Sequence, residues 1–297
     1  MVLASFAADS LALGAHWIYD TNEIDRQLGR VDTLLKPLPG SYHPTKERGE
    51  FTHYGDQALV LLESLAQTGT FSLADFTVAW KTLFTDYKGY IDQATATTLD
   101  NMNQQVPPDR CGSHSSDLGG AARIAPLLYF YREDRQALLE AVRQQTALTH
   151  NNPATLAGAE FIAKTAWEVL GGTNPIAAME TALEEGVADL DLDIRIRGGL
   201  DTGGKDTRTV IKKFGQMCGI AAALPGAIHL IATYENDLRT ALIENVMAGG
   251  DSAARGLVVG MILGAHLGRP AIPDEWLTGM AQFAHISALL ASRDDSK

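Results

Sequence analysis

Four side chains of different chemistry lie within five consecutive positions, immediately before apolar residues with helical spacing. They are the hydroxyl of Thr52, the imidazole of His53, the phenol of Tyr54 and the carboxylate of Asp56. The N-terminus of a helix offers free N–H groups and a partial positive charge, which suit anionic ligand groups. The segment is therefore a candidate catalytic or binding site. The alternative is a polar loop in which Asp56 only caps the helix.

A second candidate is the segment Gly-Gly-Asp-Ser-Ala-Ala-Arg at residues 249–255, which opens a helix with a glycine at every fourth position. The glycines of this face are Gly256, Gly260, Gly264 and Gly268. Each interior glycine costs a helix about 1 kcal/mol relative to alanine, so the spacing indicates a close neighbour. The neighbour is either another helix backbone or a ligand with Asp251 and Arg255 beside it. Asp251 has a plain helix cap as its alternative role.

Three further places carry polar residues that need a partner. Asp9 is the only charge among residues 1–14, and a carboxylate buried in an apolar helix needs a partner or a ligand. His150 precedes a helix capped by an asparagine, so it is either a site residue or a solvated loop residue. Asp117 and Arg123 flank small residues, where the arginine can hold a phosphate or pair with an acidic neighbour.

Residues 199–206 nearly match the phosphate-binding loop of nucleotide triphosphatases. The last position of that motif requires a hydroxyl for Mg²⁺, and here it is Asp206, whose carboxylate would face the phosphates. No hydrophobic strand precedes the segment. The sequence therefore argues against a nucleotide triphosphatase.

Apolar residues recur with helical spacing over nearly the whole chain. Ser72 and Asp75 resemble a capping box, and Pro153 suits the first position of a helix that Asn152 caps. Further predicted helices cover residues 3–16, 91–105, 119–131, 134–147, 175–185, 216–233, 237–248, 252–267 and 273–292.

The only strand-like pattern is the alternation at residues 190–197, which predicts a short strand or an extended connector. Residues 37–49 and 106–116 are predicted surface loops, and neither is long enough to separate two domains. We therefore predict a single compact all-α domain of ten or more helices that covers residues 1–297.

The composition excludes several classes of protein and partner. With 45% hydrophobic residues in 297, the chain is too apolar to be disordered. The 36 acidic and 24 basic residues give a formal net charge of −12. An acidic surface repels phosphate backbones and anionic lipids, so neither nucleic acid nor a membrane is an expected partner.

Cysteine usage and the N-terminal residues indicate the compartment. Two free thiols, Cys111 and Cys218, are favoured over a single bridge between them. The first residues contain no basic segment and Asp9 interrupts their apolar run, which argues against a signal peptide. The longest apolar run, residues 257–267, is about half the roughly 20 residues that cross a bilayer. We therefore expect a cytoplasmic protein.

Five segments occur in an order that resembles the ADP-ribosylglycohydrolase family. The first two are an Asp-containing small-residue helix at residues 8–14 and a Gly-x-x-Thr before a helix at 49–52. The next two are a run of small residues that ends in Arg and Ala-Pro at 119–126 and a Thr-His-x-x-Pro at 149–153. The last is a Gly-Gly-Asp that opens a glycine-rich helix at 249–268. The resemblance spans residues 3–268. It implies an all-α domain of orthogonally packed helices. It also implies a magnesium-dependent hydrolase whose substrate is a small molecule or an ADP-ribosylated protein.

The chain departs from the family at the metal positions. The family's Thr-Asp-Asp-Thr is Thr-His-Tyr-Gly here, starting at Thr52, and its Gly-Gly-Asp-x-Asp-Thr is Gly-Gly-Asp-Ser-Ala-Ala around Asp251. Only Thr52 and Asp251 match the six family ligands. Asp56, Asp9 and Asp117 could converge to hold one cation, but not the usual pair. Magnesium is thus implied only by the resemblance, and no cofactor follows from the residues themselves.

The first functional hypothesis is a divergent hydrolase that cleaves an ADP-ribosyl or related glycosidic bond through an oxocarbenium-like transition state. Asp251 or Asp56 would act as the base. His53 or His150 would protonate or orient the leaving group. Arg255, one turn beyond Asp251, could replace a metal ion as a phosphate clamp. The residues expected to bind substrate are Asp9, Thr52, Tyr54, Asp117, Arg123, His150 and Arg255.

The second hypothesis is a non-catalytic member of the same family. The loss of the metal carboxylates motivates it, and the altered motifs resemble the branch related to the J1 crystallins of jellyfish lenses. Such a protein would bind a nucleotide-like ligand or a protein, or have a structural role. Convergence of His53, Tyr54, Asp56, Asp251 and Arg255 in one pocket would favour an active or binding site. Side chains that point apart, or a salt bridge of Arg255 with Asp251 that fills the cavity, would contradict the hydrolase hypothesis.

Overall fold

The computed structural model describes residues 1–294 and shows only helices in that range. Its seventeen α-helices are α1 Val2–Ala12, α2 Thr21–Gln27, α3 His53–Thr68, α4 Leu73–Leu83, α5 Gln93–Asn103, α6 Gly119–Ala122, α7 Ala125–Phe130, α8 Arg135–Ala147, α9 Pro153–Leu170, α10 Pro175–Glu184, α11 Leu190–Leu200, α12 Thr207–Phe214, α13 Ile220–Thr233, α14 Leu238–Met247, α15 Ser252–Leu267, α16 Asp274–Gly279 and α17 Phe283–Asp294. Short 3₁₀ turns occupy Leu13–Ala15 and Arg269–Ala271. The predicted all-α class is confirmed.

Two of the predicted helices are each divided into two in the structure. The structure also contains two short helices that the sequence did not predict. Residues 119–131 form α6 and α7, because Pro126 lacks an N–H group and starts a new helix. Residues 273–292 form α16 and α17. Helices α2 and α12 have only seven and eight residues, which is too short for a clear apolar period.

The prediction of a strand or connector at residues 190–197 is wrong, because this segment lies in α11. Asp189 caps the helix by accepting from the Leu192 amide at 2.9 Å. Leu192 and Ile196, four residues apart, are buried on one side. The alternation of charged and apolar residues also places ion pairs at helical spacing, and these favour the helix.

Helices α1 and α15 pack along each other through small residues, and this contact explains the glycine face of α15. A Cβ atom at Gly260 would lie 2.5 Å from the Ala4 carbonyl oxygen, and one at Gly264 would lie 2.4 Å from Ala4 Cβ. The close neighbour of these glycines is therefore another helix. The buried apolar residues form one connected cluster that extends from Val2 to Ile286.

The two predicted loops, residues 37–49 and 106–116, contain no helix. The first of them brings His43 beside His16 and His53. Cys111 is buried and Cys218 half-buried, and neither takes part in a disulfide. Among the described helices, none combines the length and the apolar character that a bilayer crossing requires.

Candidate functional site

Asp9 and Thr52 join α1 to the start of α3. Asp9 is fully buried, its Oδ1 accepts from Thr52 Oγ1 at 2.6 Å, and its Oδ2 accepts from the Thr52 amide at 2.8 Å. Thr52 Oγ1 accepts in turn from the Tyr54 amide at 3.2 Å and caps α3. Burial raises the pKa of Asp9 to about 6, although the hydrogen bonds from Thr52 oppose the shift. Thr52 is therefore the partner that the lone carboxylate needs.

The first turn of α3 holds His53 and Tyr54 in the interior. His53 Nε2 lies 3.2 Å from Asp92 Oδ2, and the two rings of His53 and Tyr54 are 3.9 Å apart between centroids. Asp92 also caps α5 by accepting from the Thr95 amide at 2.6 Å. Both ring nitrogens of His53 are buried, and neither makes a hydrogen bond of good geometry with a described residue, although Nε2 is close to Asp92. His53 and Asp92 therefore form one imidazole–carboxylate pair of the site.

A second imidazole–carboxylate pair lies at the start of α15. His16 Nε2 is 3.0 Å from Asp251 Oδ1, and His16 Nδ1 is 2.8 Å from His43 Nε2. Asp251 caps α15 through the Ala254 amide, and its Oδ2 accepts from the Tyr54 hydroxyl at 3.5 Å. Burial lowers the pKa of His16, and it lowers the pKa of His43 to about 2. A neutral His16 that donates to Asp251 accepts at Nδ1 from His43.

Asp56 is directed elsewhere, although it lies one turn beyond Thr52. Its Oδ2 accepts from Lys46 Nζ at 2.6 Å and from the Tyr87 hydroxyl. Lys46 and Tyr87 line a separate cavity of about 540 Å³, which none of the residues around Asp251 lines. Burial raises the pKa of Asp56, and the Lys46 charge opposes the shift. Asp56 is therefore held by Lys46 and Tyr87 and does not join the residues around Asp251.

Both arginines that were expected to bind phosphate are buried and hydrogen-bonded inside the protein. Arg123 donates to Gln57 Oε1 and Thr149 Oγ1. Arg255 donates from Nε to Asn245 Oδ1 at 3.1 Å and from Nη2 to the Gly249 carbonyl at 2.6 Å. These guanidinium groups hold loops and helix ends together. Neither side chain is even 2% exposed, so neither reaches an external ligand in this structure.

Asp117 and His150 approach the site from neighbouring loops. His150 is buried, and its Nδ1 is 2.8 Å from Thr149 Oγ1, while its Nε2 has no partner among the described residues. Burial and the Arg123 charge lower the pKa of His150 to about 3. Asp117 is half-buried, and burial together with the charges of Asp251 and Asp92 raises its pKa. These groups and the Asp92 carboxylate act on one another electrostatically.

Sequence reasoning missed Asp92, His16, His43 and the aromatic residues at the rim. Trp17 has a left-handed backbone with φ of 64°, and its ring lies 4.2 Å from His16, 5.1 Å from Tyr42 and 4.9 Å from Tyr90 between centroids. A non-glycine residue in this conformation is a common mark of a functional site. The one sequence feature that could have indicated these residues is the His16-Trp17 pair, which directly follows the first helix.

The residues at the family's metal positions do not fit a pair of magnesium ions. Thr52 Oγ1 already donates to Asp9 and accepts from the Tyr54 amide. The Asp251 carboxylate accepts from His16 and from its own helix N-terminus. Two Mg²⁺ ions need several carboxylate oxygens to offset their charge. Within residues 1–294, no group of three or more His, Cys, Asp or Glu side chains is arranged to hold a metal ion.

Comparison with known proteins gives relatives that span most of the chain. Crystallin J1A of Tripedalia cystophora is 25% identical over 297 aligned positions, covering 93% of this chain and 89% of the crystallin. An uncharacterized protein of Archaeoglobus fulgidus is 26% identical over 245 positions, covering 82% of this chain and 79% of that protein. Crystallin J1B of Tripedalia cystophora is 24% identical, with 93% and 89% covered.

The fold is similar to that of a solved structure described as an ADP-ribosylglycohydrolase-related protein complex. The TM-score is 0.78 at 22% identity, and the alignment covers 98% of this chain and 94% of that chain. At this identity, the likeness shows the fold alone. The sequence model of the family described as ADP-ribosylglycohydrolase matches residues 1–295. The chain therefore belongs to the ADP-ribosylglycohydrolase family.

Proposed function

We propose that this chain hydrolyses an ADP-ribosyl or related glycosidic bond without a pair of magnesium ions. The observation that carries the proposal is a pair of half-buried carboxylates, Asp92 and Asp117, whose charges both act on the buried Tyr54. Glycoside hydrolysis needs two carboxyl groups, one that donates a proton and one that remains ionised. Family membership supports the substrate class.

The surroundings of the two carboxylates push their pKa values apart. Burial raises the pKa of Asp117, and the neighbouring charges of Asp251 and Asp92 raise it further. Burial also opposes ionisation of Asp92, but the close approach of His53 outweighs this effect and lowers the pKa of Asp92. Such a divergence distinguishes the acid from the base in carboxylate pairs. We therefore assign the acid to Asp117 and the ionised group to Asp92.

The reaction follows from these assignments. Asp117 transfers its proton to the leaving-group oxygen or nitrogen as the bond to the anomeric carbon breaks. Asp92 removes a proton from the attacking water, and His53 holds the Asp92 carboxylate in place at 3.2 Å. Burial and the surrounding carboxylates raise the pKa of Tyr54, so its hydroxyl stays protonated beside the reacting groups. Asp251 holds Tyr54 in place by accepting a hydrogen bond from its hydroxyl.

A non-catalytic role in binding or structure is the second candidate. The observation that favours it is that Asp251, Arg123 and Arg255 are all buried and hydrogen-bonded to groups of the same chain. The similarity to two crystallins also supports this candidate. For either function we propose a reducing setting such as the cytoplasm, which two cysteines outside any disulfide support.

The deciding experiment is a hydrolysis assay on a panel of ADP-ribosylated proteins and ribosides, each in EDTA and in Mg²⁺. We expect turnover in EDTA and the same rate in Mg²⁺. The variants Asp92→Asn and Asp117→Asn should each lower kcat/KM by about 100-fold or more. Asp109→Asn is the matched control, because Asp109 is 69% exposed and should not affect turnover.

Each outcome selects one alternative. Activity that EDTA abolishes would contradict the metal-independent proposal. Binding of ADP-ribose by calorimetry without turnover of any substrate would favour the non-catalytic candidate. Turnover that both Asn variants retain would show that the acid and base are wrongly assigned.

A further inference from the structure

The solvent side of α11 presents apolar side chains that no described residue covers. Leu190 is 76% exposed and Ile194 is 61% exposed, and their spacing of four puts them on one face of the helix. The buried side, with Leu192 and Ile196, packs on α13. Exposed apolar residues grouped on one face mark an interaction surface more often than single ones do. The function proposed above uses no residue of α11.

The acidic and the basic side chains of α11 occupy different halves of the helix. Asp191 and Asp193 lie in the N-terminal half, and Arg195 and Arg197 lie in the C-terminal half. Arg195 Nε donates to Asp191 Oδ2 at 2.6 Å, and Arg197 Nε donates to Asp193 Oδ1 at 2.8 Å. A helix that is acidic at one end and basic at the other is complementary to an antiparallel copy of itself.

Gly198 supplies an independent observation on the same face. A Cβ atom there would meet only Phe214 Cε1 at 3.9 Å, which is ordinary contact, so the chain's own packing does not require glycine. At the next position, Gly199, a Cβ atom would lie 2.8 Å from the Pro225 carbonyl oxygen. Glycine inside a helix weakens it relative to alanine. Gly198 therefore leaves room on the outer face, four residues beyond Ile194.

We propose that α11 pairs with α11 of a second copy of this chain, antiparallel across a two-fold axis at Ile194. Such an interface uses the same patch on both copies. In this register Ile194 meets Ile194, and Leu190 lies over Gly198 of the other copy. Each flank of the helix lies beside the same flank of the antiparallel copy, so Asp191 lies near Arg195 and Asp193 near Arg197 of the other copy. One pairing thus accounts for the exposed leucine, the glycine and the charge division together.

The size of the surface sets the strength of the association. Stable protein interfaces bury about 800 Å² on each partner, and a single pair of short helices buries less. The proposed dimer is therefore a concentration-dependent one. Sedimentation velocity of the full chain, over a wide range of protein concentration, should show a mass that rises from monomer towards dimer.

Two variants test the contact without disturbing the core. Ile194→Lys places like charges on the axis and should weaken association at least about tenfold. Gly198→Gln should abolish association while raising the melting temperature of the monomer, because it replaces a helical glycine. Weaker association together with a higher melting temperature would show that the contact is lost while the fold is intact. Val78→Lys is the control, because Val78 is 68% exposed on α4 and should change nothing.

Charge reversal tests the register. The variant Asp191→Arg with Asp193→Arg makes the helix basic, and the variant Arg195→Asp with Arg197→Asp makes it acidic. Each should be monomeric alone, and an equimolar mixture should form a heterodimer. A wild-type chain that stays monomeric at every concentration would overturn the proposal. Association that survives Ile194→Lys and Gly198→Gln would also overturn it.

Discussion

Asp9 shows how one buried carboxylate organises the start of α3. Both of its oxygens accept hydrogen bonds from Thr52, one from the hydroxyl and one from the amide. A Cβ atom at Gly55 would lie 2.4 Å from Asp9 Oδ2, so only glycine fits beside it. The first turn of α3 is thereby held in the orientation that points His53 and Tyr54 into the site. Asp9 acts through Thr52 and is a positioning residue.

Replacing Asp9 with asparagine should remove a pH-dependent loss of stability. The folded pKa of about 6 lies above the unfolded value of 3.8. Asp9 therefore contributes most to stability below pH 3.8, and the wild-type chain loses this contribution as the pH rises through 6. The loss amounts to about 3 kcal/mol. Urea unfolding between pH 4 and pH 7 should show the variant gaining about that much relative to wild type.

The control for this experiment is Asp109→Asn at an exposed position, which should keep a constant difference from wild type. An Asp9→Asn variant whose difference from wild type does not change with pH would contradict the assignment of the raised pKa to Asp9. Near-ultraviolet circular dichroism should confirm that the variant keeps its tertiary packing.

His43 should produce the opposite dependence on pH. Its folded pKa is lowered to about 2 by burial and by the neighbouring imidazoles, below the unfolded value of 6.5. The unfolded chain therefore binds a proton first, and stability falls as the pH falls below 6.5. His43→Gln should reduce this slope by about 1.4 kcal/mol per pH unit. Unfolding measured from pH 6.5 to pH 4.5 tests this, with exposed His114→Gln as the control.

Sequence reasoning identified one member of most contacts in the site and missed the other. Thr52, His53 and Asp251 stand in recognisable motifs before helices. Their partners His16 and His43 do not, Asp92 caps α5 without any local sign that it pairs with His53, and the His16–Asp251 contact joins residues 235 positions apart. Local spacing carries no information on such contacts, because the packing of whole helices creates them.

At the scale of elements, the contact of α1 with α15 positions Asp9 and Asp251 in the same site. Asp9 lies in α1, and Asp251 caps α15. The small residues between the two helices keep their axes close, so a change in one helix moves the other. Ser5 Oγ adds a hydrogen bond of 3.0 Å to the Leu257 carbonyl. The geometry of the site therefore depends on glycines that lie far from it.

Two glycine substitutions should have opposite effects on stability. Gly260→Ala places a methyl group 2.5 Å from the Ala4 carbonyl oxygen and should destabilise the chain by about 1–3 kcal/mol. Gly198→Ala meets nothing closer than 3.9 Å and should stabilise it by up to about 1 kcal/mol. Thermal and urea unfolding of both variants provide the comparison. Equal effects would show that helix propensity, and not packing, governs both positions.

The helices could be predicted from the sequence because each long one repeats its apolar residues with one period. Helix α9, for example, begins at Pro153 with Asn152 as its cap, as the motif predicts. The structure of residues 190–197 could not be predicted in the same way. Their alternation of apolar and charged residues fits a strand, and it equally fits a helix with two i,i+4 ion pairs. Only the burial of Leu192 and Ile196 against α13 decides between the two.

At the scale of the whole molecule, the site is built from segments that are distant in the chain. His16 follows α1, His43 lies in a loop, His53 starts α3, Asp92 starts α5 and Asp251 starts α15. Imidazoles and a phenol lie beside the one aspartate that remains from the family's ligand set. The half-buried carboxylates, Asp92 and Asp117, belong to other elements. The fold of the family is thus retained with a different set of polar groups.

Magnesium should therefore leave the thermal stability of the chain unchanged. An ion that binds only the folded protein, at 100 times its Kd, would add about 2.7 kcal/mol and raise Tm by roughly 5 °C or more. Thermal unfolding in millimolar Mg²⁺ should match that in EDTA at equal ionic strength. As a positive control, His53→Asp, Tyr54→Asp, Ala253→Asp and Ala254→Thr together restore the family's ligand pattern and should produce a magnesium-dependent rise. A saturable rise in the wild-type chain would contradict the conclusion, because it would require the oxygens of Thr52 and Asp251 to exchange their present partners for the ion.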